Sequence, residues 1–227
     1  MFGNFVRKER RLGFTLAEVL VTLGIIGVIA AMTLPTLIKD YQKSVIEARL
    51  KWFYSTINQA VRMSVVDNGS AEYWEFGNAE TLGGGLYEYN KKWAEKYLLP
   101  YLKHEEVFEC PSSTNQPVMC IRLQNGSLMT VLIDANGGDI GYYPDGKYLL
   151  NATYLKDKFL FQFHKKRSET DDTFESLNSV EAYSYKWDND PNKLKSGHAW
   201  SCYDGIGIFC TKLLQLNNWK FPKDWPW

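Results

Sequence analysis

Apolar residues follow three different patterns along the chain. Between Phe14 and Ile38 they run almost unbroken, as FTLAEVLVTLGIIGVIAAMTLPTLI, with Glu18 the single charge. Read as a helix, this run extends about 38 Å at roughly 1.5 Å per residue, enough to cross a hydrocarbon core of about 30 Å. Beyond Pro35 the pattern becomes amphipathic. Ile46, Leu50, Phe53, Ile57, Val61 and Val65 recur at steps of three and four, while Lys39, Asp40, Lys43, Glu47, Arg49, Lys51 and Arg62 fall mostly on other faces. Asn68-Gly69 ends this periodicity, so one helix of about fifty residues is predicted, its second half packed on a soluble head.

After Gly69 the pattern breaks into short elements, with Gly83-Gly84-Gly85 read as a flexible joint. A short helix is predicted within 91–103, presenting Trp93, Tyr97, Leu98 and Leu102 and interrupted by Pro100. Residues 117–123 and 128–133 read as β-strands around Gln124-Asn125-Gly126-Ser127, and Asn-Gly between such runs is a strong hairpin signal. Phe159 to Phe163 reads as a third strand. A long helix followed by an antiparallel sheet is an α+β order.

Charge refines this picture. The chain of 227 residues balances 26 basic against 26 acidic side chains, which leaves no bulk field to hold a polyanion, so nucleic acid is not an expected partner. Its 45% hydrophobic and 15% aromatic content excludes a disordered tail. The balance is uneven, however: Arg7, Lys8, Arg10 and Arg11 precede the apolar run, against Glu9 alone. A basic patch before an apolar span predicts a cytoplasmic N-terminus and an extracytoplasmic remainder. A plain single-pass anchor and a signal peptide cut near Ala30 or Ala31 both fit this pattern. Neither accounts for Glu18, because a carboxylate in an apolar span costs about 2.5–3.5 kcal/mol even on insertion scales. With no cation between Phe14 and Ile38, the nearest one available would be a new α-amino group made by cutting just upstream. An acid in a first helical turn also favours its own helix N-terminus.

Gly13-Phe14-Thr15-Leu16-Ala17-Glu18 after a short basic leader resembles the cleavage and methylation motif of type IV prepilins and type II secretion pseudopilins. The resemblance implies a pilin-like α+β fold in which a prepilin peptidase cuts between Gly13 and Phe14 and methylates the Phe14 amine. It further implies that Glu18 neutralises the terminal amine of a neighbouring subunit and sets register in the filament. Pro35 stands where pilin helices commonly kink, and Gly24, Gly27, Thr22 and Thr33 offer small or hydroxyl surfaces for close helix approach. The head resembles the family in patches: Asp134-Ala135-Asn136-Gly137, Lys156-Asp157-Lys158-Phe159-Leu160-Phe161, and the Trp- and Pro-rich tail from Asn217 to Trp227. The expected organisation is a leader over 1–13, a helix over 14–68 whose 14–38 part spans the inner membrane or enters the filament core, and an extracytoplasmic head over 69–227.

Cys110, Cys120, Cys202 and Cys210 all lie in the part expected outside, where an even count reads as two disulfides with three possible connectivities. Cys110–Cys120 with Cys202–Cys210 is favoured, since each closes a short loop and the second would staple the C-terminal region as disulfide-bounded loops do in many pilins. A zinc site is the rival, weakened because His104, His164 and His198 do not cluster with the cysteines. Asp134, Asn136 and Asp139 form a candidate calcium set in a glycine-bearing loop, a site type known in pseudopilin heads; a plain Asx-Gly turn is the alternative. The sequence has no phosphate loop, His-Glu-x-x-His, Gly-x-Ser-x-Gly or Cys-x-x-Cys, so an enzyme is not expected. Lys165-Lys166-Arg167 reads as a solvated strand end, and the eight Trp and fourteen Tyr residues as core and edges, with glycan, pilin or substrate contact the sharper reading.

The expectation is therefore a structural filament subunit whose partners are prepilin peptidase, other pilin or pseudopilin subunits and the inner membrane. It would reside there by a single pass before entering a periplasmic or cell-surface filament. The rival is a membrane-tethered or secreted binding domain, such as a glycan-binding one, that uses the N-terminal segment only for export. The residues do not separate type II secretion from type IV pili or DNA uptake.

Overall fold

The computed structural model describes residue 13 and residues 15–77, 85–111, 117–135, 137–148, 150–164 and 178–226. The chain divides into two compact units, Met1–Ser44 and Val45–Trp227. Helix α1, Leu16–Asn68, begins in the first unit and ends in the second. In the first unit its side chains face outward: Leu20, Val21, Leu23, Ile25, Ile26 and Ile29 are all exposed. The helix is long and apolar enough to cross a membrane, and its most apolar stretch is not buried.

The second unit is an α+β body. Its sheet is a six-stranded antiparallel meander in sequence order. The strands are β1 (His104–Cys110), β2 (Val118–Leu123), β3 (Leu128–Asp134), β4 (Gly137–Tyr143), β5 (Phe159–His164) and β6 (Val180–Ala182). Helix α2 is Leu86–Tyr97, longer at its start than the periodicity predicted, and a 3-10 turn at Leu99–Tyr101 follows it. Pro100 thus sits in that turn, where its missing N–H costs no α-helical hydrogen bond. Two short helices, α3 (Pro191–Lys195) and α4 (Cys210–Leu216), lie after the sheet in the chain. The β2–β3 hairpin is not a two-residue turn. Gly126 donates to the Leu123 carbonyl and itself takes φ +77°, while the Asn125 side chain accepts from the Ser127 N–H and hydroxyl. This is a type I turn followed by a left-handed glycine, the three-residue solution to the same sequence signal.

The period of two assigns the faces. Met129, Val131 and Ile133 of β3, Ile140 and Tyr142 of β4, and Phe159, Phe161 and Phe163 of β5 point to one side, where all are buried. Leu50, Phe53, Ile57 and Val61 of α1 lie in the same core. Phe53 stacks on Tyr142 at 4.0 Å between ring centres and meets Phe161 edge-on at 5.0 Å. Burial of that one ring is worth roughly 1.5–3 kcal/mol. Trp74 stacks on Tyr97 at 4.6 Å and on Phe163 at 5.5 Å, joining α2 to the same core.

Polar side chains tie the helices to individual strands. The Asn58 amide donates to the Val180 carbonyl and accepts from the Val180 N–H, both at 2.9 Å, so the helix pairs with β6 as an extra strand would. Asn90 of α2 accepts from Ile133 N–H at 2.7 Å, and Thr211 of α4 accepts from Leu160 N–H at 2.8 Å. The tail returns to α1: Phe221 N–H donates to Glu47 at 2.8 Å, and Trp219 packs on Tyr54 at 5.0 Å. Arg49 donates to the Pro144 carbonyl. Among the described side chains, the Trp93 indole N–H is buried without a hydrogen-bond partner.

Cys110 is bonded to Cys120 across the β1–β2 pair, and Cys202 to Cys210 at the start of α4. They close loops of 10 and 8 residues in sequence separation.

Two outcomes are expected from this packing. Asn58→Leu leaves both polar groups of Val180 buried without partners and should lower unfolding free energy by about 2–4 kcal/mol in chemical denaturation. Replacing Cys202 and Cys210 together by serine should cost about 2–3 kcal/mol, the loop-closure entropy for so short a loop, measured against reduction of the parent protein.

Candidate functional site

At the start of α1, Thr15 and Glu18 hold one another. The Thr15 N–H and hydroxyl each donate to the Glu18 carboxylate at 2.8 Å, and the Glu18 N–H donates back to Thr15 Oγ1 at 3.3 Å. This is a capping box, in which residue Ncap and residue N3 satisfy each other's orphan groups. The sequence carries its signature, Thr-x-x-Glu before an apolar run. Gly13 is exposed beside it, and a Cβ there would meet nothing within 4 Å. Phe14, the residue expected to carry the methyl group, lies outside the described residues, as do residues 1–12.

Pro35 lies inside α1, which continues on both sides of it. Its missing N–H deprives the Ala31 carbonyl of the usual helical donor. Thr22 and Thr33 turn their hydroxyls back onto the Val19 and Ile29 carbonyls, at 2.9 and 3.0 Å. Gly24 and Gly27 have no atom within 4 Å of where a Cβ would stand. Nothing in this chain's own packing therefore requires glycine at either position.

In the head, two of the three residues expected to form a calcium loop, Asp134 and Asp139, lie in strands. Asp134 is the last residue of β3, and Asp139 is the third of β4, opposite Leu132 and Gln162. Asn136 lies outside the described residues. Asp139 is drawn into the sheet because β4 pairs with both β3 and β5. Among the described residues no group of three His, Cys, Asp or Glu side chains is placed to hold a metal ion. Lys165-Lys166-Arg167 and the first two glycines of the expected joint are also outside them. Most described tryptophans serve the core: Trp74, Trp93, Trp187, Trp219 and Trp225 are buried.

Asp139 instead faces a cavity of about 350 Å3 on the sheet face opposite α1. Tyr143, Tyr148 and Tyr154 line it with Thr130, Lys158 and Asp139. Gly141 allows the crossing at its centre: a Cβ there would stand 2.5 Å from Thr130 Oγ1 and 3.1 Å from Lys158 Cε. The Lys158 ammonium lies 5.3 Å from the Tyr154 ring centre and 5.9 Å from that of Tyr143. Among the described residues Asp139 accepts no hydrogen bond and Lys158 makes no ion pair. Burial, reinforced by the Asp134 charge and opposed by Lys158, pushes the Asp139 carboxyl up to about 6. Burial lowers Lys158, and raises Tyr154 together with the Asp139 charge.

A carboxyl raised in the folded state favours folding while protonated and loses that contribution as pH rises through about 6. Asp139→Asn should therefore raise the melting temperature relative to the parent at pH 8, and the gain should shrink away towards pH 4, as followed by circular dichroism.

The prokaryotic N-terminal methylation motif, the signature of type IV pilins and pseudopilins, matches residues 9–34. The family described as "Family of unknown function (DUF6613)" matches residues 36–227. No curated protein and no solved structure matches the chain. With the methylation motif on the capped, exposed apolar helix and the second match spanning the rest of the chain, this pilin-like protein belongs to the DUF6613 family.

Proposed function

We propose that the chain is a structural subunit, a minor pilin or pseudopilin, of a type IV pilus or type II secretion filament. In this reading prepilin peptidase cuts after Gly13 on the cytoplasmic side and methylates Phe14. The head stands outside the inner membrane, and assembly proceeds through the first half of α1. The observation that carries it is Glu18, the only charge from Phe14 to Ile38, held at the first turn of a helix whose apolar side chains are exposed.

An apolar half-helix must be buried somewhere. Lipid serves before assembly and neighbouring helices serve after it, so transfer between the two costs little hydrophobic free energy. Glycines at positions 24 and 27, which this chain's own packing does not require, suit close approach by other helices. The mechanism is mechanical rather than catalytic: register comes from a charge, and adhesion from packing area. Cleavage after Gly13 leaves the Thr15 N–H and hydroxyl intact, so the capping box survives processing.

The test separates cap from charge. Glutamine at N3 preserves a capping box while removing the charge. Mass spectrometry of the N-terminal peptide from native membranes should find N-methylated Phe14 in the parent and in Glu18→Gln. Glu18→Gln should then remain in the membrane and fail to enter sheared filaments, whereas Thr15→Ala should still enter them. A mature chain beginning near Ala31, or one retaining Met1, would sink the reading.

A further inference from the structure

A cavity lies over the outer face of β3, β4 and β5. Its volume, about 350 Å3, is that of a small-molecule site, large enough for one sugar ring. It combines aromatic walls with a few convergent polar groups, the usual composition of such sites. Two of those groups carry opposite charge and attract each other without a direct ion pair: Asp139 accepts no hydrogen bond among the described residues, and Lys158 rests on tyrosine faces. Gly141 is kept bare beneath them, where any side chain would strike Thr130 or Lys158. A half-buried carboxylate that accepts no hydrogen bond among the described residues is poorly explained as structure.

The charges also select the ligand. An anion reaching Lys158 would meet Asp139, with Asp134 behind it. A cation reaching Asp139 would meet the Lys158 ammonium, and that ammonium already lies over the Tyr143 and Tyr154 rings. A neutral ring bearing many hydroxyls, each both donor and acceptor, satisfies both charges without repulsion. Tyr148, whose ring is half-buried and carries no cation among the described residues, offers an aromatic surface for the ring's C–H face.

We propose that this cavity binds one neutral saccharide unit, with Asp139 accepting from its hydroxyls, Lys158 and Thr130 donating to it, and Tyr148 packing on its apolar face. The site stands whether or not the chain enters a filament.

The full chain, in phospholipid nanodiscs free of sugar-based detergent, is titrated with D-glucose, D-galactose and N-acetyl-D-glucosamine by calorimetry and saturation-transfer NMR. D-glucuronate and D-glucosamine serve as charged controls. At least one neutral sugar should bind with a dissociation constant of about 1 mM or tighter, and both charged controls about tenfold or more weakly. Asp139→Asn should weaken that binding about tenfold or more while leaving the fold at least as stable at pH 8, so the loss is not one of folding. Tyr148→Ala should do the same, with Tyr148→Phe restoring most of the affinity. No binding by any neutral sugar at about 10 mM, preference for a charged sugar, or undiminished binding by Asp139→Asn would each overturn the proposal.

Discussion

Phe53 lies between Tyr142 and Phe161, and the arrangement of the head follows from that contact. Tyr142 belongs to β4 and Phe161 to β5, so one helical ring fixes two adjacent strands against α1. Residues three and four positions away, Leu50 and Ile57, extend the same stripe, and the sheet face beneath must be apolar at every second residue. The outer face carries only a smaller cluster of its own, Cys110, Cys120, Leu128 and Tyr143. It is there that Asp139, Lys158 and the tyrosines can be held at some cost to stability.

Dispersion and area do not choose a register by themselves; the buried amides do. Asn58 exchanges two hydrogen bonds with Val180, a pattern that only one helix position and one strand position satisfy. Sliding the helix by one residue would leave that pair buried and unmatched. Asn90 and Thr211 do the same for α2 and α4. The short edge strand β6 has only three residues, and its pairing with Asn58 adds backbone satisfaction that β5 alone does not supply.

What could be read from the sequence follows the strength of its local signals. The long helix was legible because its apolar run and its 3.6-residue stripe are continuous through Asn68. The strands beginning at Val118, Leu128 and Phe159 were legible from β-branched and aromatic alternation. Strand β4, GGDIGYY, was not: three glycines and an aspartate have low strand propensity, and the element exists because β3 and β5 pair with it on both sides. That omission turned Asp139 into a loop residue, when its setting is a strand facing a cavity. Strand β1, HEEVFEC, was hidden by its three glutamates, which suit an edge exposed to water. The roles of Asn58 and Asn90 had no sequence signal, since a buried asparagine on a helix is recognised only by what lies opposite.

Glu18 carries the same lesson at the other end of the chain. The sequence pointed to a helix dipole beside an intersubunit partner for this carboxylate, without the hydrogen bonds that hold it. The capping box divides the two needs: Thr15 supplies hydrogen bonds within the chain, and these leave the net charge unchanged. A capped carboxylate in an apolar medium remains costly, because hydrogen bonds satisfy lone pairs but do not cancel a charge. In a filament of the proposed kind, a neighbour's amine would therefore add neutralisation to a side chain already oriented by its own helix. Pre-orientation matters because a carboxylate fixed by Thr15 loses little rotamer entropy on meeting its partner. The same residue can thus begin the helix in the isolated subunit and set the register of the assembled one, without changing conformation between them.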